Sequence, residues 1–155
     1  MFCSKKESAF FLSHIDKTHR VLEYGSGSST IEISALCKNI TSVEHSFMWY
    51  KKLKRQHIPN LNLIFEAPDK ECLPPDDGTL EQFKTYIHAP LKYAPFDIIL
   101  IDGRARVECA KLCKKLGHKD TLVFIHDFER PEYHEALEYL HIIETVERMS
   151  KFKIK

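Results

Sequence analysis

The stretch that decides the fold is Val21-Leu22-Glu23-Tyr24-Gly25-Ser26-Gly27-Ser28-Ser29-Thr30. Its first four residues are mostly apolar, which is typical of a short buried strand. The two alternating glycines predict a tight turn, or a place where the backbone lies close to a ligand. The hydroxyl residues that follow can cap a helix. The stretch therefore predicts a strand, a glycine turn and a helix in succession.

The charge of Glu23 bears on which ligand this turn can hold. In a dinucleotide-binding fold the turn and the helix N-terminus receive a pyrophosphate, which an adjacent carboxylate repels. S-adenosylmethionine carries an ammonium group and a sulfonium centre, which a carboxylate attracts. The dinucleotide pattern also has a third glycine where this chain has Thr30. Both departures favour S-adenosylmethionine. The alternative is a capped helix with no ligand.

Glu44 is the second acidic residue with a position that points to a ligand. It ends a predicted strand over residues 40–44 and lies 19 positions after Gly25. A carboxylate at the tip of the second strand can accept hydrogen bonds from both hydroxyls of a ribose. The alternative is a charged strand end that only contacts solvent. His45, the next residue, is a weaker candidate for a contact with adenosine.

The pattern Glu23-x-Gly25-x-Gly27-x-Ser29 resembles the first motif of class I S-adenosylmethionine-dependent methyltransferases, with serine where a third glycine often stands. The resemblance covers nearly the whole chain. It implies that the cofactor contacts Glu23, Tyr24, Gly25, Ser26, Gly27, Ser29, Glu44, His45 and Asp102. It also implies an α/β fold, a Rossmann-like three-layer sandwich. Its seven-stranded, mostly parallel sheet would have the order 3-2-1-4-5-7-6 and an antiparallel C-terminal hairpin.

The rest of the chain alternates strand and helix patterns. Further strands are predicted over residues 60–65, 96–101 and 121–125, and the last two are almost entirely apolar, as in a parallel sheet covered on both faces. Helices are predicted over residues 5–15, after residue 46, over residues 104–116 and from Pro131. The tail alternates apolar and polar residues, which predicts the hairpin. The proline-rich segment 71–95 is the expected substrate-facing insertion.

The ends of the fourth and fifth strands carry Asp102 and the pair His126-Asp127. In catechol-type and related O-methyltransferases, which the chain resembles, acidic residues at these two ends hold a divalent cation. The resemblance implies that Asp102 and Asp127 are ligands to a hard cation such as Mg²⁺, or that one of them is a general base. His126 would be a base or a ligand. The alternative is that Asp102 caps the following turn, Asp127 caps the last helix and His126 is a polar residue with its hydrogen bonds satisfied.

Two arginines distinguish this chain from several metal-using relatives, which have Asp-Gly-Asp-His after the fourth strand. Here the sequence is Asp102-Gly103-Arg104-Ala105-Arg106. Arg104 and Arg106 weaken the case for a metal and favour an anionic substrate, because a guanidinium group binds carboxylate and phosphate well. The alternative is pairing with nearby carboxylates such as Asp127 or Glu129. Together with the segment from His126 to His134, this pattern resembles methyltransferase-like proteins whose substrates are not assigned.

Composition limits the class of protein. The chain has 155 residues, 43% of them hydrophobic, and a formal net charge of +1, which predicts one globular domain over residues 1–155. This charge gives no general attraction to nucleic acid or to a membrane, so neither is a predicted partner. Five cysteines without a Cys-x-x-Cys pair favour reduced thiols and a cytoplasmic protein. The apolar run at residues 9–12 is too short for a secretion signal or a membrane span.

The sequence therefore predicts an S-adenosylmethionine-dependent methyltransferase that acts on a small hydroxyl-bearing, anionic acceptor. Transfer to oxygen is favoured because no Asn-Pro-Pro-Tyr follows the fourth strand and no Pro-Cys occurs in the chain. Two alternatives stay open: a module that binds the cofactor without catalysis, and a nicotinamide-dependent oxidoreductase. Because no large cap segment is present, a homodimer that completes the cavity is also expected.

Overall fold

The structure, a computed structural model, describes residues 4–155, so Cys3 lies outside the described residues. Its strands form one sheet with the order β3-β2-β1-β4-β5-β7-β6, which confirms the predicted order. Strands β1 to β5 are parallel, and β7 runs antiparallel to both β5 and β6. The strands are β1 (Arg20–Tyr24), β2 (Asn39–Glu44), β3 (Leu61–Phe65), β4 (Ile98–Ile101), β5 (Leu122–Ile125), β6 (Leu140–Val146) and β7 (Met149–Ile154).

The helices lie close to their predicted positions. They are α1 (Lys5–Leu12), α2 (Ser28–Leu36), α3 (Phe47–Lys54), α4 (Leu80–His88) and α5 (Arg106–Leu116). The segment Pro131–Glu138, predicted as a helix, is a 3₁₀ helix. Helix α5 starts two residues later than predicted, because Ala105 has a left-handed backbone with φ +51° and ψ 45°. Such a conformation interrupts a right-handed helix.

Apolar side chains cover both faces of the sheet, as the continuous apolar strands predicted. On one face Leu22, Ile99 and Val123 belong to a core that includes residues of α4 and α5. On the other face Val21 and Leu100 belong to a core that includes residues of α1 and α2. Each of these fully buried side chains stabilises the fold by roughly 1.5–3 kcal/mol. The central strands are therefore fixed between two helical layers.

The register of the central strands brings their carboxyl ends to one edge of the sheet. Tyr24, the last residue of β1, is paired with Val43 of β2 and with Ile101 of β4, and Ile101 is paired with Ile125 of β5. The residues that follow these positions therefore meet at one place, where open α/β sheets bind their ligands. Within residues 4–155, none of the helices combines the length and the apolar character that crossing a bilayer requires.

Candidate active site

A cavity of about 540 Å³ opens at this edge of the sheet. Its volume lies in the range of small-molecule and cofactor sites. The lining comes from the glycine turn, the tip of β2, the start of α3, the loop before α4, the ends of β4 and β5, and the 3₁₀ helix. The lining residues are Gly25, Ser26, Gly27, Ser28, Ser29, Glu44, His45, Trp49, Pro75, Asp77, Asp102, Gly103, Arg104, Arg106, Asp127, Arg130 and Tyr133.

The two glycines of the turn have different roles. Gly25 has a φ of +93°, and a Cβ atom at this position would lie 2.6 Å from the Cα atom of Gly103. Gly25 is therefore required for the close contact between the turn and the loop after β4. Gly27 precedes α2 and has open space where its Cβ atom would be. The backbone there, at the N-terminus of a nine-residue helix, is open to the cavity.

Glu23 does not line the cavity, which corrects the expectation that it contacts the cofactor directly. Its side chain is completely buried beneath the turn. It accepts hydrogen bonds from the hydroxyl groups of Ser29 at 2.5 Å, Thr30 at 2.6 Å and Ser42 at 2.6 Å. Burial raises the pKa of Glu23 to about 7, although these hydrogen bonds oppose the shift. Glu23 therefore joins β1 to α2 and β2 beneath the site.

Tyr24 is also buried and does not line the cavity, because its phenol points into the core. The hydroxyl group of Tyr24 donates a hydrogen bond to the carbonyl oxygen of Ile87 at 2.6 Å. Its ring packs against that of Tyr86, with 5.5 Å between the ring centroids. The sequence pattern could not distinguish this orientation from one toward a ligand. Tyr24 fixes β1 against α4.

Glu44 lies at the tip of β2 and lines the cavity, as predicted. Its carboxylate accepts hydrogen bonds from the backbone N–H of Ser26 at 2.8 Å and of Ser46 at 2.5 Å. Each carboxylate oxygen has a second lone pair, so Glu44 can still accept from two hydroxyl groups. Burial raises the pKa of Glu44, and the two backbone donors oppose that shift. The glycine turn and the carboxylate are thus held together before any ligand binds.

His45 lines the cavity next to Glu44, with an imidazole that is neutral near pH 7. Burial and, to a lesser extent, the positive charge of Arg104 lower the pKa of His45 to about 4. The ring packs edge-on against Phe83 and Tyr86, with centroids 5.9 and 6.1 Å away. His45 therefore contributes a rigid, uncharged wall to this side of the cavity.

Asp102 lines the cavity at the end of β4, and its carboxylate contacts His126, which lies outside the lining. Nδ1 of His126 lies 2.9 Å from Oδ1 of Asp102. His126 is itself buried and does not line the cavity, and its Nε2 lies 3.6 Å from the buried carboxylate of Glu7. Burial lowers the pKa of His126, but the hydrogen bond with Asp102 and the charges of Asp102, Asp127 and Glu7 outweigh burial and raise it. These surroundings therefore stabilise the imidazolium form of His126 relative to that of an ordinary histidine.

Asp127 lines the cavity and is surrounded by three arginines. Its Oδ1 lies 3.1 Å from Arg148, and its Oδ2 lies 3.1 Å from Arg130 and 3.4 Å from Arg106. Asp127 has a positive φ of 55°, a conformation that aspartate tolerates better than most residues. The turn after β5 thus places this carboxylate at the centre of an ion-pair cluster.

Arg106 is buried, and the chain itself uses its donor groups. The guanidinium donates to the carbonyl oxygens of His126 at 2.5 Å and Gly103 at 3.1 Å, and it lies 3.5 Å from Asp102. Arg106 therefore clamps the ends of β4 and β5. Arg104 also lines the cavity but is less buried, and it donates to the carbonyl oxygen of Asp76 at 2.7 Å.

The lining residues that sequence reasoning missed include three with ionisable side chains: Asp77, Arg130 and Tyr133. Asp77 lies in the proline-rich segment and accepts a hydrogen bond from the backbone N–H of Arg106 at 2.7 Å, so it caps α5 from a distant loop. The hydroxyl group of Tyr133 donates to Asp77 at 3.2 Å. Asp77 could have been found from the sequence because it lies in the predicted substrate-facing insertion, which supplies part of the cavity lining.

Comparison with solved structures identifies the fold. A methyltransferase-like protein from Silicibacter pomeroyi is similar over 100% of this chain and 88% of its own, with a TM-score of 0.80 and 23% identity. A Streptococcus mutans protein in complex with SAH is similar over 96% of this chain and 95% of its own, with a TM-score of 0.61 and 12% identity. A TehB-like SAM-dependent methyltransferase from Corynebacterium glutamicum is similar over 97% of this chain and 88% of its own, with a TM-score of 0.62 and 10% identity.

The chain has the class I methyltransferase fold. No protein-family model matches its sequence, and no curated protein matches it either. The methyltransferase fold explains why ten of the predicted site residues line one cavity. These are Gly25, Ser26, Gly27, Ser29, Glu44, His45, Asp102, Arg104, Arg106 and Asp127.

The metal that some methyltransferases of this fold use does not fit the residues present. Asp102, His126 and Asp127 offer ligand atoms within 4.8 Å of one another. However, Arg106, Arg130 and Arg148 already neutralise Asp127, and Arg106 and His126 lie against Asp102. A divalent cation would have to displace these groups or lie against their like charges. The expected Mg²⁺ site at Asp102 and Asp127 is therefore an ion-pair cluster instead.

Proposed function

We propose that this protein is an S-adenosylmethionine-dependent methyltransferase that acts on the hydroxyl group of a small acceptor. One observation carries the proposal: a single cavity brings together the glycine turn, Glu44 at the tip of β2 and Asp102 at the end of β4. The methyltransferase fold supports this assignment at the level of architecture. The choice of acceptor and the roles of the cavity residues rest on the chemistry of their side chains.

The charges of the cavity suit the cofactor, whose methionine end is a zwitterion beside a sulfonium centre. The N-terminus of α2, with Gly27 and Ser29 in the lining, favours the carboxylate of the amino acid. Asp102 supplies the negative charge that favours the ammonium and sulfonium groups. Glu44 would accept hydrogen bonds from the two ribose hydroxyls, since its remaining lone pairs are available. Tyr24 and Glu23 would support the turn from below.

The reaction requires a base beside the methyl group, and Asp102 is the proposed base. When bound, S-adenosylmethionine would supply an electrophilic methyl group, with the C–S electron pair leaving on sulfur. Asp102 would receive the proton of the acceptor hydroxyl as the new C–O bond forms. His126 would hold Asp102 in place through the hydrogen bond that its Nδ1–H donates to the carboxylate. Asp127 would position Arg130 and Arg106.

An anionic group on the acceptor fits the arginines of the cavity. Arg130 is half exposed and Arg104 is partly exposed, so both retain N–H donors for a ligand. Planar guanidinium groups bind carboxylate or phosphate through paired hydrogen bonds. The donors of Arg106 are used by the chain, so its proposed part in substrate binding is to hold the floor of the cavity.

A thermal-unfolding comparison of three ligands tests the cofactor assignment. We expect S-adenosylmethionine and its demethylated product to raise the melting temperature, by an amount that corresponds to about 2.7 kcal/mol at a hundredfold excess over Kd. NAD is the matched comparison, because it offers the same adenosine with a pyrophosphate. Stabilisation by NAD alone would favour the nicotinamide-dependent oxidoreductase instead.

A screen for methyl transfer separates an enzyme from a binding module. The screen would measure release of the demethylated cofactor with hydroxyl-bearing acceptors that do or do not carry a carboxylate or phosphate. With the best acceptor, Asp102→Asn is expected to reduce kcat by about 10²–10⁴-fold, and it should also weaken cofactor binding because the charge beside the ammonium and sulfonium groups is lost. Cofactor binding without turnover of any acceptor would favour the non-catalytic module. The expected homodimer stays a prediction, which light scattering during gel filtration would measure.

A further inference from the structure

Residues 45–65 differ in charge from the rest of the molecule. They include four basic residues, Lys51, Lys52, Lys54 and Arg55, and no aspartate or glutamate. Because the chain has 23 basic and 22 acidic residues, the remainder has 19 basic and 22 acidic residues and is net acidic. All four basic side chains are exposed, on α3 and at its C-terminal end. The balanced total charge therefore hides a local basic surface.

The same helix exposes three consecutive large apolar side chains. Phe47 is 55% exposed, Met48 is 79% exposed and Trp49 is 42% exposed. Only Leu53 of this helix is fully buried. Single exposed apolar residues are common on proteins, but three in succession beside four basic residues form a continuous surface of mixed character. We name it the basic-aromatic face, and its members are Phe47, Met48, Trp49, Lys51, Lys52, Lys54 and Arg55.

Lysine side chains and neighbouring rings already contact the two rings of this face. Nζ of Lys51 lies 5.4 Å from the ring centroid of Phe47, and Nζ of Lys52 lies 4.5 Å from that of Trp49. Phe47 also stacks with Tyr50 at 6.4 Å and packs edge-on against Phe65 at 5.4 Å. Binding of single-stranded nucleic acid relies on ring faces that are open to bases. A bilayer interface instead accepts an apolar side chain with a lysine stem alongside it.

We propose that the basic-aromatic face docks this protein on the surface of an anionic phospholipid bilayer. Lys51, Lys52, Lys54 and Arg55 would contact the anionic headgroups, while Phe47 and Met48 enter the boundary between headgroups and acyl chains. Charge complementarity with anionic headgroups supports this partner, since residues 45–65 contain four basic residues and no acidic one. Trp49 lies both on this face and in the cavity lining, so docking would hold the cavity beside the membrane. The inference is independent of the proposed methyl transfer.

The tryptophan provides the readout, because it is the only one in the chain. The full-length protein would be titrated with vesicles of phosphatidylglycerol and phosphatidylcholine, and with vesicles of phosphatidylcholine alone, without nucleoside ligand. We expect the Trp49 emission to shift to shorter wavelength with anionic vesicles only. Binding measured by co-sedimentation should weaken by at least about tenfold on neutral vesicles, and it should also weaken as salt is added.

Two variants test the two halves of the face. Phe47→Ser with Met48→Ser should abolish the emission shift, and Lys51→Glu with Lys52→Glu should weaken vesicle binding by at least about tenfold. The matched control is Lys114→Glu with Lys115→Glu, an exposed lysine pair on α5, which should bind vesicles like the original protein. Circular dichroism would establish that each variant is folded. The proposal is overturned if anionic vesicles do not bind, if neutral vesicles bind equally well, or if single-stranded RNA binds while vesicles do not.

Discussion

Nδ1 of His126 lies 2.9 Å from Oδ1 of Asp102, although the two residues end different strands and are 24 positions apart. On the other side of the ring, Glu7 from α1 lies 3.6 Å from Nε2. Carboxylates on both sides stabilise the imidazolium, which can then hold Asp102 but cannot accept another proton. The carboxylate of Asp102 therefore lines the cavity, whereas the His126 ring that contacts it lies outside the lining.

This arrangement predicts the effect of Asp102→Asn on His126. The pKa of His126 is expected to fall, because one neighbouring negative charge is lost and an uncharged amide oxygen is a weaker acceptor for the imidazolium N–H. NMR titration of the His126 ring protons would measure the change. Asp120→Asn, at an exposed aspartate, is the matched control. An unchanged titration of His126 would show that Asp102 does not set its charge.

The two glycines of the turn predict opposite responses to alanine. Gly25→Ala should lower the free energy of unfolding by about 2 kcal/mol or more, because φ is +93° and the added Cβ atom meets the backbone of Gly103 at 2.6 Å. Gly27→Ala should leave stability nearly unchanged, because its Cβ atom has no neighbour within 4 Å. Urea unfolding measures both values. Equal effects at the two positions would contradict the contact between the turn and the loop after β4.

The buried carboxylate beneath the turn predicts a pH-dependent stability. Burial raises the pKa of Glu23 from 4.5 to about 7. Between these values the folded protein binds a proton that the unfolded chain does not, so the contribution of Glu23 is full below about pH 4.5 and declines toward pH 7. Across this window the original protein should lose up to about 3 kcal/mol relative to Glu23→Gln. Urea unfolding at several pH values measures this difference.

Glu32→Gln provides the control for that series, because Glu32 is an exposed glutamate on α2. Its pH dependence should follow that of the original protein. If Glu23→Gln also follows the original protein, Glu23 is ionised to the same extent in the folded and unfolded states.

Glu44 is predicted to contribute to cofactor affinity. Glu44→Gln leaves one acceptor oxygen where the cavity now has two, and it places an amide N–H₂ group near the backbone donors of Ser26 and Ser46. The expected loss is about 1–3 kcal/mol, or roughly 5–150-fold in Kd for S-adenosylmethionine. Isothermal titration calorimetry measures it, again with Glu32→Gln as the control. Unchanged affinity in a folded Glu44→Gln protein would show that Glu44 does not bind the ribose of the cofactor.

The arginines around Asp127 predict that Mg²⁺ has no effect at this site. Millimolar Mg²⁺ should not raise the melting temperature, and chelation should not change methyl transfer. A cation bound at a hundredfold excess over its Kd would add about 2.7 kcal/mol of stability, which thermal unfolding would detect. Stabilisation by Mg²⁺ that disappears in Asp127→Asn would show that Mg²⁺ binds Asp127 and displaces the arginines.

Local patterns in the sequence predicted the succession of strands and helices and much of the cavity, whereas the order of strands in the sheet came from the family resemblance. Glu44 and Asp102 directly follow apolar runs, so their place at the carboxyl edge of the sheet could be predicted before any contact was known. Gly25 and Gly27 marked the turn for the same reason. These predictions held because strand periodicity and turn chemistry are properties of neighbouring residues.

Side-chain direction and long-range pairing could not be predicted in this way. Glu23 has the position of a cofactor contact, yet three hydroxyl groups, two from α2 and one from β2, hold it beneath the turn. Glu7 lies 3.6 Å from His126 although the two residues are far apart in the sequence, and nothing in the residues around Glu7 predicts this contact. Arg106 was expected to bind a ligand and instead clamps two strand ends.

The sequence by itself determined the order of strands and helices and the edge of the sheet where the chemistry lies. Only the tertiary structure decided which carboxylates face the cavity and which ones the chain neutralises internally. The physical reason is that apolar periodicity acts between neighbouring residues, whereas a buried charge takes its state from every group around it. In this protein those groups come from α1, from the loop before α4 and from the hairpin.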